Sequence, residues 1–308
     1  MTDSGRILVV IEPDVRPAEV LARAAWLARR ANCELDLLLC DPDVGGYWEE
    51  VLVSNEARDI AARIRDAQHE IIEDAAKAAR DAGISVTTDV CEERPIVDGI
   101  LQRALDMNAR YVMKGTQYHS SAERSIFVDT DWQLVRSCPA PLWLVKPHAI
   151  REKPVIVAAV DPTHSHDKPA VLDQLIVDAA KAIAAAGDGE IYLLHTYHRL
   201  VGVGREATRT FKPIELPVDE LENRIRVEHR QKLDALAKAN GIDAAHTHQL
   251  PGDTKELLPA FARTHGADLV VMGALARWGL KRAILGSTTE RVLDHLPCDI
   301  LIVRMEPD

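Results

Sequence analysis

Short, wholly apolar runs alternate along this chain with longer stretches whose apolar residues recur at helical spacing. Ile7-Leu8-Val9-Val10-Ile11 reads as a buried strand, and the stretch from Glu19 to Ala31 reads as an amphipathic, Ala-rich helix. A second strand over Glu34–Cys40, a long charged helix over Glu56–Ala82, a strand over Ile84–Val90 and a helix over Val97–Met107 follow. The same order then begins again. Val155-Ile156-Val157-Ala158-Ala159-Val160-Asp161-Pro162 matches the first strand and its Glu12-Pro13 ending. A helix over Ala170–Ala186, a strand over Glu190–Thr196, a helix over Val218–Asn240, a strand over Ile242–Leu250 and a helix over Thr254–Thr264 repeat the plan. Gly83 and Gly241 stand where the two long helices should stop in a left-handed residue.

The ends of the halves match most closely. Gly115 aligns with Gly273, Pro139 with Pro297 and Val145 with Val303 at one constant offset, so this segment passes from repeat to repeat without a gap. Strands alternating with helices imply parallel sheets joined by right-handed crossovers. The reading is therefore α/β: two tandem Rossmann-like domains, each a five-stranded parallel sheet flanked by helices. They span 1–150 and 151–308, and the charged linker between them is bracketed by Pro147 and Pro154.

Composition narrows the class. A length of 308 residues suits two domains, and 47% hydrophobic with 28% charged residues can fill two cores. Aromatics reach only 4%, which leaves Ala, Val, Leu and Ile to build those cores, as in parallel sheets covered by helices. A net charge of −11 and the absence of a basic run argue against nucleic acid as a partner. Five scattered cysteines without a C-x-x-C, and no leader or membrane span, point to a reducing, cytoplasmic location.

Candidate chemistry concentrates in residues 267–290. An apolar strand ending at Met272-Gly273 leads into a loop, and a helix is expected to start at Gly286-Ser287-Thr288. A helix N-terminus presents unpaired N–H groups and partial positive charge, which suits a phosphate. Glycine at 273 and 286 permits close backbone approach and positive φ, and Lys281 and Arg282 can add charge. Asp161, ending the first strand of this half, should face Gly273 across the crevice where strand order reverses. The plainer alternative makes Asp161-Pro162 a helix-capping turn and the glycines a tight loop without a ligand.

This stretch is similar to the universal stress protein motif G-x2-G-x9-G-S/T, which holds ATP phosphates in nucleotide-binding members. The closing residues His295-Leu296-Pro297-Cys298-Asp299-Ile300-Leu301-Ile302-Val303 resemble that family's last helix and strand. Residues 131–143 of the first half resemble its longer, tandem members. The resemblance spans essentially the whole chain. It implies the adenine nucleotide alpha hydrolase-like version of the Rossmann fold. It further implies ATP, with or without Mg2+, held by Asp161, Thr196, Met272, Gly273, Ala276, Gly286, Ser287 and Thr288. One departure stands out: the motif's second glycine is Ala276 here, a cost of about 1 kcal/mol if that position needs positive φ.

The first half keeps the loop length but not its content. Tyr118, Val128, Asp129 and Asp131 replace Ala276, Gly286, Ser287 and Thr289. A β-branched residue then occupies the close-approach position, and two carboxylates are available to cap the helix start. Lys114 alone is not expected to offset both. The first half is thus read as degenerate and without a phosphate.

Other signals fall away. Gly202-Val203-Gly204-Arg205-Glu206-Ala207 fits a dinucleotide fingerprint only as text, because Pro213 follows where a helix should run. The histidine pairs 164/166, 195/198 and 246/248 lack the Cys or carboxylate spacing that would complete a metal site. No nucleophile–base pair stands out, so the chain is read as a ligand-binding regulator of the stress response, with at most weak ATPase activity. The alternative is a scaffold that binds no nucleotide, or another phosphorylated or apolar ligand in the same crevice. The halves are expected to pair within one chain, or the chain to form a homodimer.

Overall fold

The computed structural model describes residues 5–41 except 14 and 16, 55–116 except 94, 130–163, 170–199, 218–274, and 292–305 except 294. The chain forms two compact units. Among the described residues, the first takes those up to Glu152 and those from Cys298 onward, and the second those from Lys153 to Pro297. The first division between the units falls after Glu152. The last strand, which belongs to the second repeat by sequence, is part of the first unit.

In the first unit β1 (Arg6–Ile11), β2 (Glu34–Leu39), β3 (Val86–Val90), β4 (Tyr111–Gly115) and β5 (Leu142–Val145) run parallel in the order β3-β2-β1-β4-β5. The last strand, β10 (Asp299–Val303), adds to β5 antiparallel, with Leu301 opposite Trp143. Ile7, Leu8, Val9 and Val10 are all buried, so β1 has no solvent face. This is why it reads as a continuous apolar run rather than an alternating one. The helices are α1 (Pro17–Ala31), α2 (Asn55–Asp81), α3 (Ile96–Asp106) and α4 (Thr130–Ser137). Helix α1 packs on β1 and β4 through Val20, Ala24 and Leu27.

In the second unit β6 (Val155–Ala159), β7 (Glu190–Tyr197), β8 (Thr247–Pro251) and β9 (Leu269–Gly273) run parallel in the order β9-β6-β7-β8. Its helices are α5 (Ala170–Gly187), α6 (Val218–Asn240) and α7 (Thr254–Thr264), and α5 packs on β6 and β9. Among the described residues this unit holds four parallel strands, and β10, which follows them in sequence, pairs antiparallel with β5 in the first unit.

The predicted elements that fall on described residues are found with small shifts at their ends. The strand expected over Ile242–Leu250 begins only at Thr247, because Ala244–His246 forms a short 3-10 turn. The Thr247 hydroxyl holds that turn by donating to the Asp243 carbonyl at 2.9 Å. Gly83 and Gly241 do stop the long helices with φ of 80° and 69°. Among the described residues no helix is long and apolar enough to cross a membrane.

A buried ionic cluster holds β10 in the first unit. The Asp299 carboxylate, fully buried, accepts from Arg23 Nε at 2.5 Å, Trp143 Nε1 at 2.9 Å and the Lys146 backbone N–H at 2.9 Å. Arg23 also donates to the His148 carbonyl at 2.8 Å. Every oxygen of the buried acid is thus satisfied, as burial of a charge requires.

Candidate functional site

Both units place a carboxylate just beyond the end of their central strand. In the second unit Ala159 pairs with Met272, so Asp161 and Gly273 emerge side by side where the strands diverge to opposite sides of β6. In the first unit Val10 pairs with Lys114, and Glu12 and Gly115 emerge in the same way. Such a reversal of strand order opens a crevice at the carboxyl ends of the strands. The two crevices share a frame and differ in their contents.

In the first unit the crevice is occupied by side chains. The Lys114 ammonium, buried, lies 2.6 Å from Glu12 Oε2 and 2.8 Å from Asp131 Oδ1. Thr116 Oγ1 donates to the other Asp131 oxygen at 3.0 Å. Burial works against the charge on Lys114, yet Asp131 and Glu12 outweigh it and hold its pKa above the ordinary value. Burial pushes the Glu12 carboxyl up, and Lys114 pulls it part of the way back. Asp131, in the first turn of α4, turns toward Lys114, and Asp129 lies outside the described residues. Glu12, which the sequence pattern treats only as the end of a strand, completes the cluster.

In the second unit Met272 stands at the position of Lys114, so β9 brings no cation to Asp161. Asp161 Oδ1 accepts from Thr163 Oγ1 at 2.6 Å, and the Asp161 N–H donates to Asp173 Oδ1 at 2.9 Å. The side chain keeps 28% exposure, so it closes a turn and still faces outward. Thr196, in β7, shares a 2.5 Å hydrogen bond with Thr254 Oγ1 at the start of α7. Met272 and Gly273 end β9. The predicted residues Ala276, Gly286, Ser287 and Thr288 lie outside the described residues, as do Trp278, Lys281 and Arg282.

Gly273 has a packing role beside the expected one. Its φ lies outside the left-handed region, but a Cβ there would come within 2.7 Å of Leu172 on α5. Glycine therefore lets α5 lie close to β9. Gly115 does the same in the first unit, where a Cβ would meet the Val15 carbonyl at 2.6 Å.

A pair of histidines lies beside Asp161 that spacing alone did not single out. His195 is buried, with Nδ1 3.1 Å from the Val160 carbonyl and 3.9 Å from Asp161, and Nε2 2.9 Å from His229 Nδ1. A carbonyl only accepts, so His195 carries its proton on Nδ1 and accepts from His229 Nδ1–H. Burial holds both imidazoles below their ordinary pKa and keeps them neutral. The partner comes from α6, far away in sequence, which hid the pair. His246, His248 and His265 gather instead around Tyr192 and Phe261. Among the described residues no group of three His, Cys, Asp or Glu is arranged to hold a metal ion.

Two α/β units of one plan, each with a crevice at the reversal of its strand order, define the class: a doubled Rossmann-like α/β protein. The sequence profile of the universal stress protein family matches residues 4–146 and again 154–304, and the chain belongs to that family as a tandem member. It is 28% identical to universal stress protein E of Escherichia coli (strain K12), over 97% of this chain and 93% of that protein. It is 26% identical to the universal stress protein E homolog of Haemophilus influenzae, over 97% and 96%. Two solved structures share the fold. A functionally unknown protein from Pseudomonas aeruginosa PAO1 superposes with a TM-score of 0.72 at 24% identity, covering 99% of this chain and 94% of that one. A universal stress protein from Archaeoglobus fulgidus DSM 4304 does so at 0.66 and 14%, covering 99% and 98%.

Proposed function

We propose that this stress protein is a cytoplasmic regulator that binds ATP, with or without Mg2+, in its second repeat and not in its first. The observation that carries this reading is the contrast between the crevices. One is filled by the ion cluster of Glu12, Lys114 and Asp131. Its counterpart has Met272 in place of the lysine and an outward-facing Asp161. Asp161 would accept from ribose hydroxyls, and Met272 and Thr196 would bound the base. The backbone N–H groups from Gly273 through Ala276 to Gly286, Ser287 and Thr288 would take the phosphates, the part of the reading that rests on sequence. A ligand held this way changes the loop that partners read, and no dedicated catalytic group is assigned.

Calorimetric titration of the full chain with ATP at millimolar concentration tests the proposal, together with a search for nucleotide released on denaturation. Binding is expected in the wild type, and Met272→Lys, which plants the first repeat's cation opposite Asp161, should abolish it. Ala276 favours a second reading, an interaction scaffold without a nucleotide. Absence of binding in both the wild type and Ala276→Gly would establish that reading instead.

A further inference from the structure

Cys40 follows β2 and Cys91 follows β3, two neighbouring parallel strands whose ladder pairs Leu39 with Val90. The pairing continues one step further, since the Cys91 N–H donates to the Leu39 carbonyl at 2.8 Å. Residues in register on adjacent strands lie about 4.8 Å apart and project to the same face. That is inside the roughly 4.4–6.8 Å between Cα atoms that a disulfide spans. The two side chains thus project from neighbouring strands to one face, close enough for each thiol to shift the other's pKa. Both are reduced and buried, Cys40 at 0% and Cys91 at 3% exposure.

The surroundings make room for these sulfurs. Gly99, in the first turn of α3, faces Cys91, and a Cβ there would come within 2.6 Å of its Sγ. Cys91 Sγ also lies 3.5 Å from Glu93 Oε2 and 4.0 Å from the Ile96 carbonyl. The neighbouring Cys40 holds the Cys91 thiol below its ordinary pKa, whereas Cys91 and burial push Cys40 up. Cys91 is also the less deeply buried of the two, which makes it the attacking sulfur. Cys40 holds the place in the first repeat that Thr196 holds in the second. The pair thus sits at the mouth of the crevice closed by Glu12 and Lys114.

We propose that Cys40 and Cys91 are a redox-active dithiol that a hydroperoxide converts reversibly to an intramolecular disulfide. The Cys91 thiolate attacks one peroxide oxygen, the O–O bond breaks, and the departing oxygen takes up protons and leaves as water. Cys91 is then a sulfenic acid. Cys40 sulfur attacks Cys91 sulfur, the S–O bond breaks, and the hydroxide leaves as water with the Cys40 proton. Two thiols lose two electrons in total, and hydrogen peroxide gains them to become two waters.

The test treats the reduced full-length protein with hydrogen peroxide and maps its thiols under non-reducing conditions. Two of the five thiols should be lost, the intact mass should fall by two hydrogens, and a digest should yield the Cys40 peptide joined to the Cys91 peptide. Dithiothreitol should restore both. In Cys40→Ala a sulfenic acid trapped by dimedone should appear on Cys91, and in Cys91→Ala no link should form. A link to Cys33, Cys138 or Cys298, or equal alkylation of Cys40 and Cys91 before and after peroxide, would overturn the proposal. The wild-type map decides this even if a variant fails to fold.

Discussion

With its ammonium 2.6 Å from Glu12 and 2.8 Å from Asp131, Lys114 compensates two carboxylates that would otherwise share a poorly hydrated crevice. Removing one partner of a buried ionic cluster leaves the others uncompensated, which typically costs about 3–5 kcal/mol. Lys114→Met should therefore destabilise the protein by that order in urea unfolding. Adding Glu12→Gln and Asp131→Asn to it should recover much of the loss, and a triple variant no more stable than the single one would refute the account. Gly273 invites a different residue-scale test, because its constraint is steric. Gly273→Ala drives a methyl into Leu172 and should cost about 1–3 kcal/mol, the usual range for overpacking. In a Leu172→Ala background the same substitution should cost much less. An unchanged cost there would mean that backbone conformation, not packing, selects the glycine.

Among the elements, β10 is anchored by one buried side chain. It adds to the edge of β5 through a short antiparallel ladder, and Asp299 at its start is fixed by Arg23, Trp143 and the Lys146 N–H. Asp299→Ala would leave Arg23 charged and 3% exposed without its carboxylate. The expected loss is again about 3–5 kcal/mol. Hydrogen exchange should locate it, with amide protection falling in β10 and β5 and persisting in β6 and β7. Uniform loss of protection throughout the chain would show instead that β10 is no separate unit of stability.

For the molecule as a whole, buried histidines predict a pH dependence. Burial lowers the pKa of His195, His229 and His248 from the ordinary 6.5. The unfolded chain then binds protons that the folded chain refuses, so this contribution to stability is complete above 6.5 and is lost as pH falls below it. His148 works in the opposite sense, since its hydrogen bond with Asp299 raises its pKa and its contribution fades as pH rises. Three groups against one among the described histidines with a shifted pKa give a melting temperature that should fall between pH 7 and pH 5. His195→Gln should start lower and fall less steeply over that interval. A wild-type melting temperature that is flat or rising toward pH 5 would contradict the assignment.

The sequence by itself determined the repeat, the order of strands and helices and the helix stops at Gly83 and Gly241. These depend on apolar periodicity and on φ, which neighbouring residues dictate. It also placed Asp161 and Gly273 together, because strands of a repeated α/β unit end at one edge. Tertiary structure alone decided the contents of the crevices. Glu12, Lys114 and Asp131 are each unremarkable in sequence, and only the register of β1 with β4 sets the lysine beside Glu12. His195 and His229 meet across a strand and a helix 34 residues apart, and Arg23 reaches Asp299 across 276. The role of Gly273 was hidden for the same reason, since the Leu172 side chain that forbids a Cβ arrives from another element. Local preference selects an element from its own residues, whereas a contact between elements is fixed only when the sheet sets their distance and register.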